Sequence, residues 1–224
     1  MKLLDLTQTI SKGIPDWDGS CGFQMKNSSG YDSGLCVQEI QTPNGIGTHM
    51  DAPSHFFEGE SDIASISIEK LVCPGVVINV SEKLAENCVI EKEDIINFEK
   101  RYGAIPKNSI VIGYTGWCHY WSNPKQYRNE DTNGIMRFPT FSLESIDYLL
   151  TKQISGIAID TLSPDGDDYT FPVHRRLLGE GKFIIENIKI IRRLPPNNFT
   201  LFALPMKIKG ATESPCRVIA YIDS

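Results

Sequence analysis

The sequence predicts a mixed α/β fold built on a curved, barrel-like sheet with flanking helices. Three observations predict it. Strand-like segments outnumber helix-like ones. Two strands, Val76-Val77-Ile78-Asn79-Val80 and Ile110-Val111-Ile112, are continuous apolar runs, as expected where a sheet is covered on both faces. The chain has 224 residues, 41% of them hydrophobic, enough for a sizeable core. No Gly-, Ser- or Pro-rich linker and no internal repeat divides it, so residues 1–224 are expected to form a single domain.

The expected strands are Gly34–Thr42, Val72–Val80, Ser109–Tyr114, Ile154–Asp160, Phe183–Ile191, Thr200–Ile208 and Arg217–Ile222. They are rich in Val and Ile and bounded by Gly, Pro or Asn. Helices are expected over Glu93–Tyr102, Leu143–Lys152 and, more briefly, Val173–Leu178. In the second, Ser142 can cap the N-terminus, and Glu144 and Lys152 sit where the helix dipole favours their charges. Ile146, Leu149 and Leu150 give that helix one apolar face.

Composition excludes several functions. Lys plus Arg number 22 against 28 Asp plus Glu, a net charge of −6, which argues against nucleic-acid binding. No apolar run approaches the ~18 residues of a membrane-spanning helix. Asp5 interrupts the apolar N-terminal stretch, so no secretory signal is read there and a cytoplasmic location is expected. Cys21, Cys36, Cys73, Cys88, Cys118 and Cys216 are scattered without a C-x-x-C pair. Reduced thiols are therefore expected, and a zinc finger is excluded.

Chemistry concentrates in Gly45-Ile46-Gly47-Thr48-His49-Met50-Asp51-Ala52-Pro53-Ser54-His55, which holds two of the four histidines. His49 and Asp51 are two residues apart, so extended backbone puts both side chains on one face. An imidazole and a carboxylate on one face make half a site for a divalent metal. Pro53 turns the chain and lets His55 swing back over that face. The same residues also suit a surface hydrogen bond and a packed or solvated histidine.

The string G-T-H-M-D-A-P-S-H-F resembles the signature H-x-G-[TA]-H-x-D-x-P-x-H of the metal-dependent cyclase-like hydrolases, which include bacterial kynurenine formamidases and isatin hydrolases. Four further blocks are similar: Pro15-Asp16-Trp17-Asp18-Gly19, Tyr114-Thr115-Gly116-Trp117, Gly156-Ile157-Ala158-Ile159-Asp160-Thr161 and Ala203-Leu204-Pro205-Met206-Lys207. The resemblance implies the family's swivelling β/α fold. It implies His49 and Asp51 as metal ligands, His55 as general acid/base, and Trp17 beside the substrate. It also implies a downstream His and Glu twelve residues apart as ligands, a spacing that His174 and Glu186 have. A carboxylate within Phe-Ile-Ile-Glu-Asn-Ile needs a partner if buried. The bland reading has Glu186 facing outward and His174 as an ordinary helix-start residue.

One position departs from the signature: its first histidine is Gly45 here. Asn44, Gln41 or water are the substitutes considered, and a single ion on His49, Asp51, His174 and Glu186 is the simplest arrangement. The implied cofactor is one or two divalent ions, Zn or Mn. The implied activity is hydrolysis of N-formylkynurenine to kynurenine and formate, a step of tryptophan catabolism, by a homodimer or larger homo-oligomer. The alternatives are hydrolysis of isatin or another cyclic amide or lactone, and a non-catalytic protein that binds a small ligand.

Other chemistries fit less well. There is no G-x-S-x-G around Ser54. Cys118 and His119 are neighbours whose side chains point apart in a strand. Asp160, Ser163 and Asp165 are placed to support the site. Asp165-Gly166-Asp167-Asp168 lacks the spacing of an EF-hand and reads as a solvated acidic turn. Trp17, Trp117, Tyr120 and Trp121 suit either an aromatic substrate wall or the core.

Overall fold

A computed structural model describes residues 1–83, 85–190 and 194–223. Its strands are β1 (Lys2–Asp5), β2 (Gln24–Ser29), β3 (Val37–Gln41), β4 (His49–Asp51), β5 (Val72–Asn79), β6 (Val89–Ile90), β7 (Ile110–Tyr114), β8 (Thr140–Phe141), β9 (Gly156–Ile159), β10 (Phe183–Glu186), β11 (Phe199–Pro205) and β12 (Glu213–Ile222). The helices are α1 (Ile68–Leu71), α2 (Lys92–Tyr102), α3 (Pro124–Arg128), α4 (Leu143–Thr151) and α5 (Pro172–Leu178). None of the described helices is long and apolar enough to cross a membrane.

Seven strands close a barrel in the order β12-β11-β5-β7-β9-β10-β4, with β4 pairing back onto β12 and β1 added outside on β12. The run β5-β7-β9-β10 is parallel, and the other barrel pairings are antiparallel. β2 and β3 form a separate hairpin.

Alternation along the strands sorts the apolar residues into two cores. One takes side chains from every barrel strand, including Met50, Val77, Ile112, Ala158, Ile185, Leu201 and Val218, and therefore fills the barrel. The other takes the alternate set, Val76, Ile78, Val111, Ile157 and Ile184, and packs it under Ile95 and Phe98 of α2, Ile146 and Leu149 of α4 and Leu177 of α5. This double covering is why β5 and β7 read as unbroken apolar runs. Ser142 caps α4 by accepting from Ser145 N at 3.2 Å.

Boundaries moved where backbone chemistry intervened. β10 ends at Glu186 because Asn187 adopts φ 56° and turns the chain; Ile191, the expected strand end, lies outside the described residues. β12 starts at Glu213, four residues before the expected Arg217, and carries Pro215 inside the strand. The six cysteines form no disulfide.

Candidate metal centre

β4 lies between β10 and β12, and its register assembles the site. His49 faces Glu186 across the β10 pairing, and Asp51 faces Glu213 across the β12 pairing. Met50 and Ile185 point into the barrel core. His49, Asp51 and Glu186 therefore share the opposite face. α5 brings His174 over the same face. The structure thus brings together the four residues His49, Asp51, His174 and Glu186, each at most 5% exposed.

The donor atoms are closely spaced. His49 Nε2 lies 3.5 Å from Asp51 Oδ1 and 3.3 Å from Glu186 Oε2. His174 Nε2 lies 3.4 Å from Asp51 Oδ2 and 3.2 Å from Glu186 Oε1. Each carboxylate thus offers one oxygen to each imidazole. Both Asp51 oxygens and Glu186 Oε1 are buried without a hydrogen-bond partner. Charge-assisted hydrogen bonds would be ~2.7–2.9 Å. Donors ~2.1 Å from a shared ion at tetrahedral angles would stand ~3.4 Å apart, which is the spacing seen. Orphaned buried carboxylates and this mixed imidazole–carboxylate donor set fit a divalent cation.

Each imidazole is oriented by its other nitrogen. His49 Nδ1 donates to Gly47 O at 3.0 Å. Gly47 has φ 63°, a conformation glycine adopts freely. Asn187 Nδ2 donates to the same carbonyl at 3.0 Å, tying the end of β10 to the approach of β4. His174 Nδ1 donates to Asp165 Oδ2 at 2.6 Å. Asp165 also accepts Val173 N at 2.6 Å and His174 N at 3.2 Å, so one carboxylate caps α5 and aims the imidazole. Both rings consequently present Nε2 to the cluster. The expected acidic turn is therefore split: Asp165 is buried against His174, while Asp167 and Asp168 are exposed.

Electrostatics follow from this crowding. Burial pulls the His49 pKa down, but Asp51, Glu186 and Glu213 outweigh it and raise it to about 10. Burial likewise lowers His174, and the facing carboxylates of Asp165, Asp51 and Glu186 carry it well above its ordinary value.

His55 ends a 3-10 turn, Pro53–His55, which begins on proline as the sequence suggests. It is the most accessible of the group, with its side chain 31% exposed. Its Nδ1 lies 3.5 Å from Glu213 Oε2, and its ring lies 6.3 Å from that of His174.

A cavity of about 430 Å³ opens over these residues. Trp17, Phe56 and Phe171 line it, with Trp17 and Phe171 5.9 Å apart and Phe56 and Phe171 5.6 Å apart between ring centroids. Trp117, Tyr120 and Trp121 belong instead to a separate cluster around Tyr127 and Phe138. Cys118 is a buried core residue whose thiol is pushed up to about 12 by burial. Asp160 accepts Thr115 N and Oγ1 and Cys118 N, holding the loop after β7 rather than touching the donor cluster.

Sequence reasoning missed Glu213, because the expected strand began at Arg217 and left position 213 outside it. Asn44 and Gln41, considered as substitutes for the absent histidine, are exposed and do not line the cavity.

Comparison with known proteins gives the family and the fold. The family model described as "Putative cyclase" matches residues 4–166. An isatin hydrolase of Roseibium aggregatum is 30% identical over 187 residues, covering 79% of this chain and 71% of that protein. A kynurenine formamidase of Maricaulis maris is 26% identical, covering 97% of each. The structure of isatin hydrolase A from Labrenzia aggregata bound to benzyl benzoate superimposes with a TM-score of 0.92 at 29% identity, covering 100% of this chain and 94% of that one. By the length of the family match and these shared folds, the chain belongs to the cyclase family of hydrolases.

Proposed function

We propose that the chain is a divalent-metal-dependent amidohydrolase acting on a small aryl or cyclic amide, with N-formylkynurenine and isatin as the two substrates to try first. The observation that carries this reading is the convergence of His49, Asp51, His174 and Glu186, with three carboxylate oxygens unpartnered, at one wall of a cavity. These four residues would hold Zn²⁺ or Mn²⁺. A divalent cation there supplies Lewis acidity, polarising the scissile carbonyl and bringing the pKa of a water towards ~7.

The chain's own groups supply the rest. Trp17, Phe56 and Phe171 offer faces and edges against which an aryl ring can lie, excluding water from the amide. His55 reaches the same cavity and carries the proton to the amide nitrogen as the carbon–nitrogen bond breaks. Glu213 Oε2 lies 3.5 Å from its Nδ1. The isatin reading is supported by the 30% identical relative, and the formamide reading by relatives matching nearly the whole length.

Incubation with N-formylkynurenine is expected to release formate, or incubation with isatin to open its ring. Treatment with a chelator followed by removal of the excess should abolish the reaction, and added Mn²⁺ or Zn²⁺ should restore it. Chelator-resistant turnover would contradict the metal-dependent reading.

Metal uptake should depend on pH. Ligation needs both imidazoles neutral, whereas surrounding carboxylates hold protons on His49 and His174 in the metal-free protein. Calorimetry in buffers of different ionisation enthalpy should therefore show proton release on binding at pH ~7, with affinity rising as pH rises towards about 10. The sign for stability is opposite. The raised His49 pKa stabilises the metal-free fold fully below ~6.5, and this contribution fades as pH climbs through about 10. Proton uptake on binding would contradict the assignment of these imidazoles as ligands.

A further inference from the structure

We propose that Glu213 replaces, as a ligand, the side chain that Gly45 lacks, so that His49, Asp51 and Glu213 form a second divalent-cation position beside Asp51, His174 and Glu186. The inference deepens the metal-dependent reading and rests on it. Four observations carry it.

The donors divide into two groups. Asp51 turns Oδ1 to His49 and Oδ2 to His174, and Glu186 turns Oε2 to His49 and Oε1 to His174, so two buried carboxylates lie between the sides. Three donor atoms from His49, Asp51 and Glu213 lie within 4.8 Å of one another, as do three from Asp51, His174 and Glu186. Next, Glu213 fills the space beside Gly45. A Cβ built on Gly45 would fall inside contact distance of Glu213 Oε1 and only 3.5 Å from His49 Nε2. A side chain at position 45 and the Glu213 carboxylate therefore compete for one place next to the same imidazole nitrogen. Third, both Asp51 oxygens are unpartnered in a residue only 1% exposed, and Oδ1 is the one that faces His49. Fourth, charge balances. Asp51, Glu186, Glu213 and Asp165 bring four negative charges to two imidazoles. One divalent ion leaves two of them uncompensated in a largely buried site, whereas two ions neutralise all four.

One nitrogen and two carboxylates make an oxygen-rich donor set, which suits Mn²⁺. The competing role for Glu213 is to hold His55, 3.5 Å away, with no part in metal binding.

The test is Mn²⁺ stoichiometry. Metal-stripped full-length protein is loaded with MnCl₂, passed through gel filtration and subjected to elemental analysis, with circular dichroism reporting folding. Wild type should retain two ions per chain and Glu213→Gln one. The double variant Gly45→His/Glu213→Ala should return to two, because removing the carboxylate frees the space that the imidazole needs. Wild type retaining one ion, unchanged by Glu213→Gln, would overturn the second position while leaving the metal-dependent reading intact. Two ions retained in Glu213→Gln would assign the residue to His55 alone. Loss of all metal in Glu213→Gln would mean one merged site, and no metal in wild type would sink both readings together. A folded double variant that holds only one ion would overturn the exchange of position 45 for position 213.

Discussion

Asp51→Asn is expected to remove bound metal and hydrolytic activity together while leaving the fold in place. Asp51, like Glu186, turns one oxygen to each imidazole, at 3.5 Å and 3.4 Å. Neither oxygen accepts a hydrogen bond from the backbone, so no turn or strand end depends on them. Asparagine keeps the shape but removes the charge and turns an amide N–H₂ toward a donor nitrogen. Since even residues that only orient a ligand cost ~10–100-fold in metal affinity, loss of a ligand should cost at least ~100-fold. Turnover should fall by at least ~10³-fold, about 4 kcal/mol of barrier. Thermal melts provide an independent readout. Metal at ~100 times its dissociation constant stabilises a folded protein by about 2.7 kcal/mol, and that difference between melts with metal and with chelator should vanish in the variant. A variant with wild-type metal content would remove Asp51 from the ligand set.

His55→Ala separates chemistry from binding. The residue sits on the turn after β4, is more exposed than the four clustered residues, and faces Glu213 across the cavity mouth. Its loss removes the proposed proton carrier and leaves the donor cluster intact. Turnover is expected to fall ~10²–10⁴-fold with metal content unchanged. The loss should fall on kcat more than on KM, because the aromatic walls that would hold the substrate are untouched. Full turnover in His55→Ala would assign proton transfer elsewhere.

Local pattern made much of this legible. The His-x-Asp spacing on extended backbone predicts a shared face, and β4 provides it. The apolar runs of β5 and β7 predict coverage on both faces, and the two cores supply it. The glutamate inside Phe-Ile-Ile-Glu predicts a polar demand in a buried strand, and Glu186 lies in the donor cluster. What stayed hidden depends on pairings between distant segments. β12 meets β4 across more than 160 residues of sequence, and only that register brings Glu213 beside Asp51. Proline at 215 also lies inside this strand, although proline withholds a ladder donor and usually marks a strand's edge or end. Asp165 was half legible: its position suggested support for the site, while its acidic neighbours suggested a solvated turn. Phe56 and Phe171 carried no signal for the cavity wall, because an isolated phenylalanine reads as core.

Anomalous scattering from crystals grown with Mn²⁺ tests the central claim most directly. The account predicts a peak bounded by His174 Nε2, Asp51 Oδ2 and Glu186 Oε1. Crystals saturated with Mn²⁺ that show no anomalous density at this face of β4, with the imidazoles and carboxylates pairing directly instead, would contradict it.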